Sequence, residues 1–373
     1  SSYRVASMNQ KLPQPRTSIL SLPEYVPGER QLDGILEPIK LSSNESNLGP
    51  SPNSLKAYSD ALTNIHRYPD PDQHQIREVI ADHHELSAEN IVCGNGSAEM
   101  IQMLIQTYVD DGDEVLLSEF GFPLYQIFAL SQGAKVVFAP EMNCVTQIDA
   151  LLKRVNSKTK LIALANPNNP TGTYLKKDEI KKLHLALPDQ VLLLLDEAYA
   201  EYVTANDYES GLQWAVNSKN VVVTRTFSKF YGLAGLRLGW MYGPLEIIAS
   251  VQRIRITFNV NGPSMAAAIA ALQDKEYADK VKKHNAYWRE RMTRELENVG
   301  LQVIHSMANF ILIHFGDEEG RTNVDADNAL KSRGILPRPL SGGSPQNCLR
   351  ITIGKKDENE AVLETMNNFM QNQ

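Results

Sequence analysis

Three apolar runs dominate the chain's pattern: "KLIALANP" (160–167), "VLLLLDEA" (191–198) and "NVVVTRTFS" (220–228). Each is continuous rather than alternating, and each ends in polar residues. Such runs predict strands buried on both faces of a parallel sheet, since a strand with one wet face alternates. "NIVCGNGS" (90–97), "DEVLLSEF" (113–120) and "AKVVFAP" (134–140) predict three more strands. Between them, "AEMIQMLIQTYV" (98–109) brings Ile101, Leu104, Ile105 and Tyr108 onto one helical face. From about 265 the period turns helical through "DKEYADKVKKHNAYWRERMTRELENVG". "LQVIHSMANFILIHF" and "NCLRITIG" then supply strands, with a helix at "DADNALKSRG" (325–334) between them. The pattern predicts an α/β fold in three parts. A large domain (50–265) carries a mostly parallel central sheet flanked by helices, and residues 266–373 form a smaller α+β domain. Residues 1–49 supply an N-terminal arm and part of the small domain. Residues 1–30, rich in Pro, Ser and Gln, read as an arm that lies on something, a partner subunit being one candidate. "SSNESNLGPSPNS" (42–54) is dense in turn-formers and reads as a loop.

Composition narrows the function classes. With 373 residues, 42% of them hydrophobic, the chain can build a large core, and its 22% charged residues are ordinary for a globular protein. A net charge of -7 disfavours nucleic acid as a partner. No apolar run approaches the ~18 residues of a membrane helix. The first residues contain no apolar signal-peptide core. Cys93, Cys144 and Cys348 have no metal or disulfide spacing. They read as packed thiols in a reducing compartment, so a cytoplasmic protein is expected.

In open parallel sheets, ligands bind beyond the carboxyl ends of the strands. The residues just past each apolar run therefore matter. After "IVC" comes "GNGSAE" (94–99), either an ordinary turn with a serine cap or a phosphate site. In the second case the N–H groups of Ser97, Ala98 and Glu99 face the anion. A dinucleotide turn would have a third glycine where Glu99 stands. After "LIALA" comes "NPNNPTG" (166–172), with more asparagine and proline than a plain turn needs. After "VLLLL" comes "DEAY" (196–199), where Asp196 either caps a helix or holds a cation such as a protonated ring nitrogen. After "VVVT" comes "RTFSKFYGLAGLRLGW" (225–240). Lys229 is there either solvated or desolvated near Arg237, which would lower its pKa and free its lone pair. Arg237 offers a donor fork suited to phosphate. One ligand suits all four endings. It has a phosphate, an aldehyde for Lys229, a basic ring nitrogen for Asp196 and a ring hydroxyl for Asn169 and Tyr199. Pyridoxal phosphate carries that set.

"NPNNPTG", "DEAY" and "SKFYGLAGLRLG", in this order and spacing, resemble the fold-type I pyridoxal-phosphate aminotransferases. The resemblance runs from "LPEYVPGE" (22–29) to "LRITIG" (349–354). "LSSNESNLGPSP", "HRYPDP", "ANFILI" and "CLRITIG" are similar to the subgroup that acts on histidinol phosphate. The resemblance implies amino transfer from histidinol phosphate to 2-oxoglutarate, giving imidazole acetol phosphate and glutamate, within histidine biosynthesis. It implies that Lys229 is the catalytic residue, bonding the cofactor aldehyde and shuttling the proton. Asp196 would hold the ring nitrogen, and Asn169 and Tyr199 the ring oxygen. Ser97 and Ala98, with Glu99 in the same turn, and Thr226, Ser228 and Arg237 would bind the phosphate. Phe122 would stack on the ring. Tyr68 would reach the phosphate held by a neighbouring subunit, which makes a homodimer with shared active sites. Tyr25, Asn44, Arg338 and Arg350 match substrate contacts, Arg350 being the clamp for the anionic end. No metal and no membrane partner is expected. In this chain "NES" stands for the family's usual Asn-Glu-Asn-Pro, Phe122 for the usual tyrosine, and 336–347 aligns only at Arg338.

Rival readings are an aromatic amino acid aminotransferase and a phosphothreonine-type decarboxylase, which needs no keto acid. A nicotinamide dehydrogenase built on "GNGSAE" would leave Lys229 unexplained, and a non-catalytic pyridoxal-binding regulator would want a basic arm. "DHHE" (82–85) reads as a solvated helix face rather than a metal cluster, and His66 and His305 as surface or packed histidines.

Overall fold

The computed structural model describes residues 12–340 and 345–372. Its strands, in chain order, begin with β1 (Ile39–Lys40), β2 (Ile91–Gly94), β3 (Glu114–Ser118), β4 (Lys135–Ala139) and β5 (Thr159–Ala165). They continue with β6 (Leu192–Asp196), β7 (Val221–Thr226), β8 (Gly239–Tyr242), β9 (Gln302–Ile304) and β10 (Phe310–His314). The last three are β11 (Ile335–Leu336), β12 (Arg338–Pro339) and β13 (Cys348–Thr352).

The six strands expected between 90 and 228 are β2 to β7. They join β8 in one sheet of order β2-β8-β7-β6-β5-β3-β4. The neighbouring pairs among β3 to β7 are parallel, and β8 is antiparallel to both β2 and β7. The continuous apolar runs have the predicted cause. In β6, Leu193 and Leu195 enter the core on one face with Val221 and Val223, while Leu192 and Leu194 enter the other with Val222. Successive side chains of a strand point to opposite faces, so two covered faces need apolar residues at every position. β8 was not among the expected strands. Its "GWMY" is short and glycine-led, and the slot between β2 and β7 decides its conformation.

Helix Gly96–Tyr108 starts earlier than the expected 98, and it buries Met100 and Met103 beside the predicted Ile101, Leu104 and Ile105. Helix Pro52–Ala61 begins inside the expected 42–54 loop. Ser51 caps it, its hydroxyl accepting the Ser54 N–H at 3.1 Å, and Pro52 is pre-set for the first turn. Helix His74–His84 also departs from expectation: His84 is half-buried, its ring 5.2 Å from that of Trp240. Burial pushes its pKa down to about 2, so it is neutral.

The small unit is an antiparallel sheet of order β12-β13-β10-β9. Helices Lys275–Asn298, Asn323–Lys331 and Lys356–Gln371 pack Trp288, Leu330 and Val362 against Ile311, Ile313, Leu349 and Ile351. The N-terminal segment joins this unit: β1 pairs with β11 in parallel, and Leu41 is buried in the same core. Of the arm, residues 1–11 lie outside the described residues. Further along, helix Thr17–Leu20 lies on this chain's own helix Pro123–Ser131, with Ser18 Oγ donating to the Ser131 carbonyl at 3.1 Å.

Candidate active site

The loops after β2, β5, β6 and β7 converge on a cavity of about 370 Å³. Ser97, Ala98, Phe122, Asn169, Asp196, Tyr199, Thr226, Ser228, Lys229 and Arg237 line it. Tyr25, Asn44, Arg338 and Arg350 meet them there from the N-terminal segment and the small unit. Glu99 and Tyr68 do not line it. The Glu99 carboxylate instead accepts from Asn95 at 2.9 Å and Asn259 at 3.0 Å. Tyr68 is 81% exposed and stacks on Phe258 at 4.4 Å. His66 and His305 stay outside too, and His305 contacts Glu297 at 2.6 Å on the surface. Among the described residues, the side chains grouped closely enough for a metal are Asp70, Asp72 and His74, all exposed and outside the cavity.

Lys229 stands just past β7. Its ammonium donates to the Ser43 carbonyl at 2.9 Å and lies 5.9 Å from the Tyr199 ring centre. Burial brings its pKa down to about 8, with Arg350 the next cause and Glu45 opposing. Arg237, the charge expected to do this, contributes less than Arg350. Part of the amine is therefore unprotonated near neutral pH.

Asp196 ends β6 and is buried. The next helical turn, Ala200–Tyr202, starts after Tyr199, so Asp196 is no helix cap. Burial pushes its carboxyl up to about 6. Tyr125 opposes that by donating its phenol to Oδ2, and the Ala198 N–H donates to Oδ1 at 3.2 Å. Neighbouring Glu197 is paired elsewhere, with Arg225 Nε at 3.0 Å.

Helix Gly96–Tyr108 presents its N-terminus here. Asn95 holds the cap position and no side chain caps the helix, so Ser97 is a first-turn residue rather than the cap. That leaves first-turn N–H groups available to an anion at the positive helix end. Arg237 donates to Ser228 Oγ at 3.3 Å and to the Ala234 carbonyl at 3.1 Å. Two glycines make room for this cradle. A Cβ on Gly96, whose φ is 76°, would stand 2.5 Å from Arg237 Nη2, and one on Gly239 2.3 Å from the Ser97 nitrogen.

Arg350 sits on β13 between Leu349 and Ile351. Those two face the small core, so the strand's period turns Arg350 toward the cavity. Nη1 donates to Asn169 Oδ1 and Nη2 to the Ser42 carbonyl, each at 2.7 Å, while Nε has no acceptor among the described residues. A buried guanidinium with a spare donor suits an anion. Burial lowers its pKa to about 10, so it stays a cation at neutral pH. Arg338 pairs opposite it across β12 and β13. Asn44, at φ 57°, donates to the Tyr199 hydroxyl at 3.0 Å, and its own N–H donates to Thr352 Oγ1 at 2.9 Å.

Tyr125, Ser42, Ser43 and Glu45 also line the cavity, unforeseen in the sequence. Tyr125 had a signal: it stands one helical turn after Phe122 in "GFPLY". Ser42 and Ser43 act through backbone carbonyls, for which residue type gives no cue.

Residues 37–366 match the family described as aminotransferase class I and II. A histidinol-phosphate aminotransferase of Rhodopseudomonas palustris (strain TIE-1) is 44% identical over 362 residues, covering 96% of this chain and 98% of that protein. Its counterpart in strain HaA2 is 43% identical over 359 residues, with coverage of 96% and 98%. The crystal structure of histidinol-phosphate aminotransferase from Sinorhizobium meliloti, in complex with pyridoxal-5'-phosphate, is similar with a TM-score of 0.88. That likeness comes at 28% identity and covers 97% of this chain and 99% of that one. By both its sequence and its fold, the chain belongs to the class I and II aminotransferases.

Proposed function

We propose that the chain is a pyridoxal-phosphate-dependent aminotransferase that carries the amino group of L-histidinol phosphate to 2-oxoglutarate. One juxtaposition carries this reading. The Lys229 amine, the buried Asp196 carboxylate and Arg237 at an uncapped helix N-terminus share a cavity with Arg350. The residues fit the cofactor: Gly96 and Gly239 let Arg237 and the Ser97 backbone come close together as a phosphate cradle, and among the described residues the hydrogen-bond donors to Asp196 include no cation. The donor is supported by relatives at 44% identity that bear the name of this activity.

When bound, pyridoxal phosphate supplies an aldehyde for an amine and a protonated ring that accepts electrons. In this reading the chain's residues do the rest. Lys229 offers its amine to the aldehyde, then removes and redelivers the donor's α-proton. Asp196 keeps the ring nitrogen protonated, and Asn169 and Tyr199 hold the ring oxygen. Ser97, Ala98, Thr226, Ser228 and Arg237 hold the phosphate, and Phe122 covers the ring. Arg350, with Arg338, Tyr25 and Asn44 beside it, grips the anionic end of each substrate. A guanidinium fork accepts a phosphate or a carboxylate, so one clamp serves both half-reactions.

The active form in this reading is a homodimer in which Tyr68 reaches the partner's site. Supporting it, Ile65, Tyr68 and Ile256 are 66%, 81% and 77% exposed, an apolar surface that burial against a second copy would cover. A division into 1–49, 50–265 and 266–373 belongs to the same reading; the separate small-unit core supports it for Leu41 and from Trp288 on, while Ala267, Ala268, Ala271 and Leu272 pack in the large core. A cytoplasmic setting suits the three unbridged cysteines.

The test is the visible spectrum of purified protein loaded with pyridoxal phosphate, before and after adding histidinol phosphate without a keto acid. A yellow band that converts to the pyridoxamine form supports cofactor and donor together. A band that only phenylalanine converts moves the donor to the aromatic class, and no band at all refutes the reading.

A further inference from the structure

We infer that Tyr125 is a positioning residue for the reaction: its phenol occupies Asp196 Oδ2, holding that carboxylate ionised and oriented for the cationic ring nitrogen. The inference rests on the proposed function for the identity of that cation. It stands on geometry within this chain. Tyr125 is 1% exposed, in the first turn of helix Pro123–Ser131, and edge-packed against Phe122 with ring centres 5.8 Å apart. Its hydroxyl donates to Asp196 Oδ2. The phenol cannot easily surrender its proton, because burial and the neighbouring Asp196 push its pKa well above the usual value. It therefore stays a donor, and a hydrogen bond donated to a carboxylate favours the charged form.

The surroundings of Asp196 pull in opposite directions. Burial works to neutralise this carboxyl, and Glu197 adds to that. Tyr125 is the largest influence in the other direction, ahead of the Ala198 N–H and Lys229. The titratable groups facing Asp196 are thus Tyr125 from its helix, Glu197 and Tyr199 from the loop after β6, and Lys229 from beyond β7. Without the phenol, the neutral form of Asp196 would gain ground and the carboxylate would hold a cation less well. With Oδ2 engaged by the phenol and Oδ1 by Ala198, the plane of the carboxylate is also fixed.

Tyr125→Phe removes the hydroxyl and keeps the ring against Phe122. Two measurements test it. In the cofactor-free protein, the stability difference between Asp196 and Asp196→Asn chains, tracked from about pH 4.5 to 8, bends at the folded-state pKa of Asp196. That bend is expected to move up by at least about one pH unit in the Tyr125→Phe background. In the loaded enzyme, Tyr125→Phe is expected to lower kcat at least about tenfold, with KM for 2-oxoglutarate changed less than about twofold. The same substitution made on Asp196→Asn should then lower kcat less than about twofold, because the two act as a unit. An unmoved bend, or equal losses in both backgrounds, overturns the inference and makes Tyr125 a packing residue. Failure of the wild-type chain to form a yellow species instead refutes the functional reading and removes the ring as the partner of Asp196. The pH cycle still reports the Tyr125 contact by itself.

Discussion

Asp196 is a buried charge and Lys229 a half-buried one of opposite sign, and their pH windows differ. Asp196 ionises at about 6 in the folded chain, against an ordinary value of 3.8. The folded state holds this proton more tightly than the unfolded one. The resulting stability is fully present below the ordinary value and is lost as pH rises through about 6. At pH 7.5 the charged group therefore weighs against the fold. Asp196→Asn keeps an acceptor for the Ala198 N–H, while its NH2 group faces the Tyr125 oxygen and donates to it. It is expected to stabilise the cofactor-free protein by about 1–3 kcal/mol, read as a higher melting temperature. Amino transfer should fall at least about 100-fold in the same variant. Unchanged turnover would reduce the carboxylate to a structural acceptor. Lys229 falls from 10.5 to about 8, so its unfavourable contribution is largest below about 8 and eases as pH rises toward 10.5. Lys229→Met should raise stability at pH 7 while turnover drops by at least about 100-fold and no yellow adduct forms. Arg350→Lys keeps the charge and loses the fork that spans Asn169 and Ser42. KM for both substrates is expected to rise about tenfold, with a smaller change in kcat. A rise for only one substrate would contradict a shared clamp.

At the scale of elements, the site depends on where strands end. The six apolar runs announced β2 to β7, and their polar endings announced Ser97, Asn169, Asp196 and Lys229. β8 was illegible, because four residues beginning with glycine carry no periodic signal. Yet β8 has a direct part in the site. Its Gly239 pairs with both Gly94 and Thr226, beneath the Ser97 backbone. Gly239→Ala would push the helix start at Gly96 and Ser97 away from β8. A loss of about 1–3 kcal/mol is expected, together with weaker cofactor binding in a fluorescence or absorbance titration. Wild-type affinity in that variant would mean that the cradle relaxes freely. Ser97 shows the limit of reading a cap from residue type: the helix starts at Gly96, two residues earlier than a Ser97 cap would place it, and the serine turns out to be a cavity residue.

For the whole molecule, the exposed surface around Tyr68 sets the prediction. The protein should run in solution at twice its 41.6 kDa chain mass. Ile256→Glu should shift it toward the monomer and lower activity in parallel, since a charge buried against a second copy lacks a partner. Tyr68→Phe should leave the mass unchanged and weaken cofactor binding. A fully active monomer would refute the shared site.

The sequence by itself determined the alternation of strands and helices and the cofactor chemistry, and with the family resemblance it named half of the cavity's lining residues. The elements and the strand-end residues come from local pattern, namely apolar runs, glycine and proline at turns and ionisable residues at strand ends, while Phe122, Tyr25, Asn44, Arg338 and Arg350 came from the resemblance. Tertiary structure alone decided the rest. It brought Arg350 and Arg338 from the end of the chain, and Asn44 from its beginning, to the same cavity as Lys229. It made Arg350, ahead of Arg237, the stronger charge acting on Lys229. It set Tyr125 on Asp196, and the carbonyls of Ser42 and Ser43 on the two cations. Such contacts join residues far apart in sequence, and their strength depends on burial and distance, which exist only once the chain has folded.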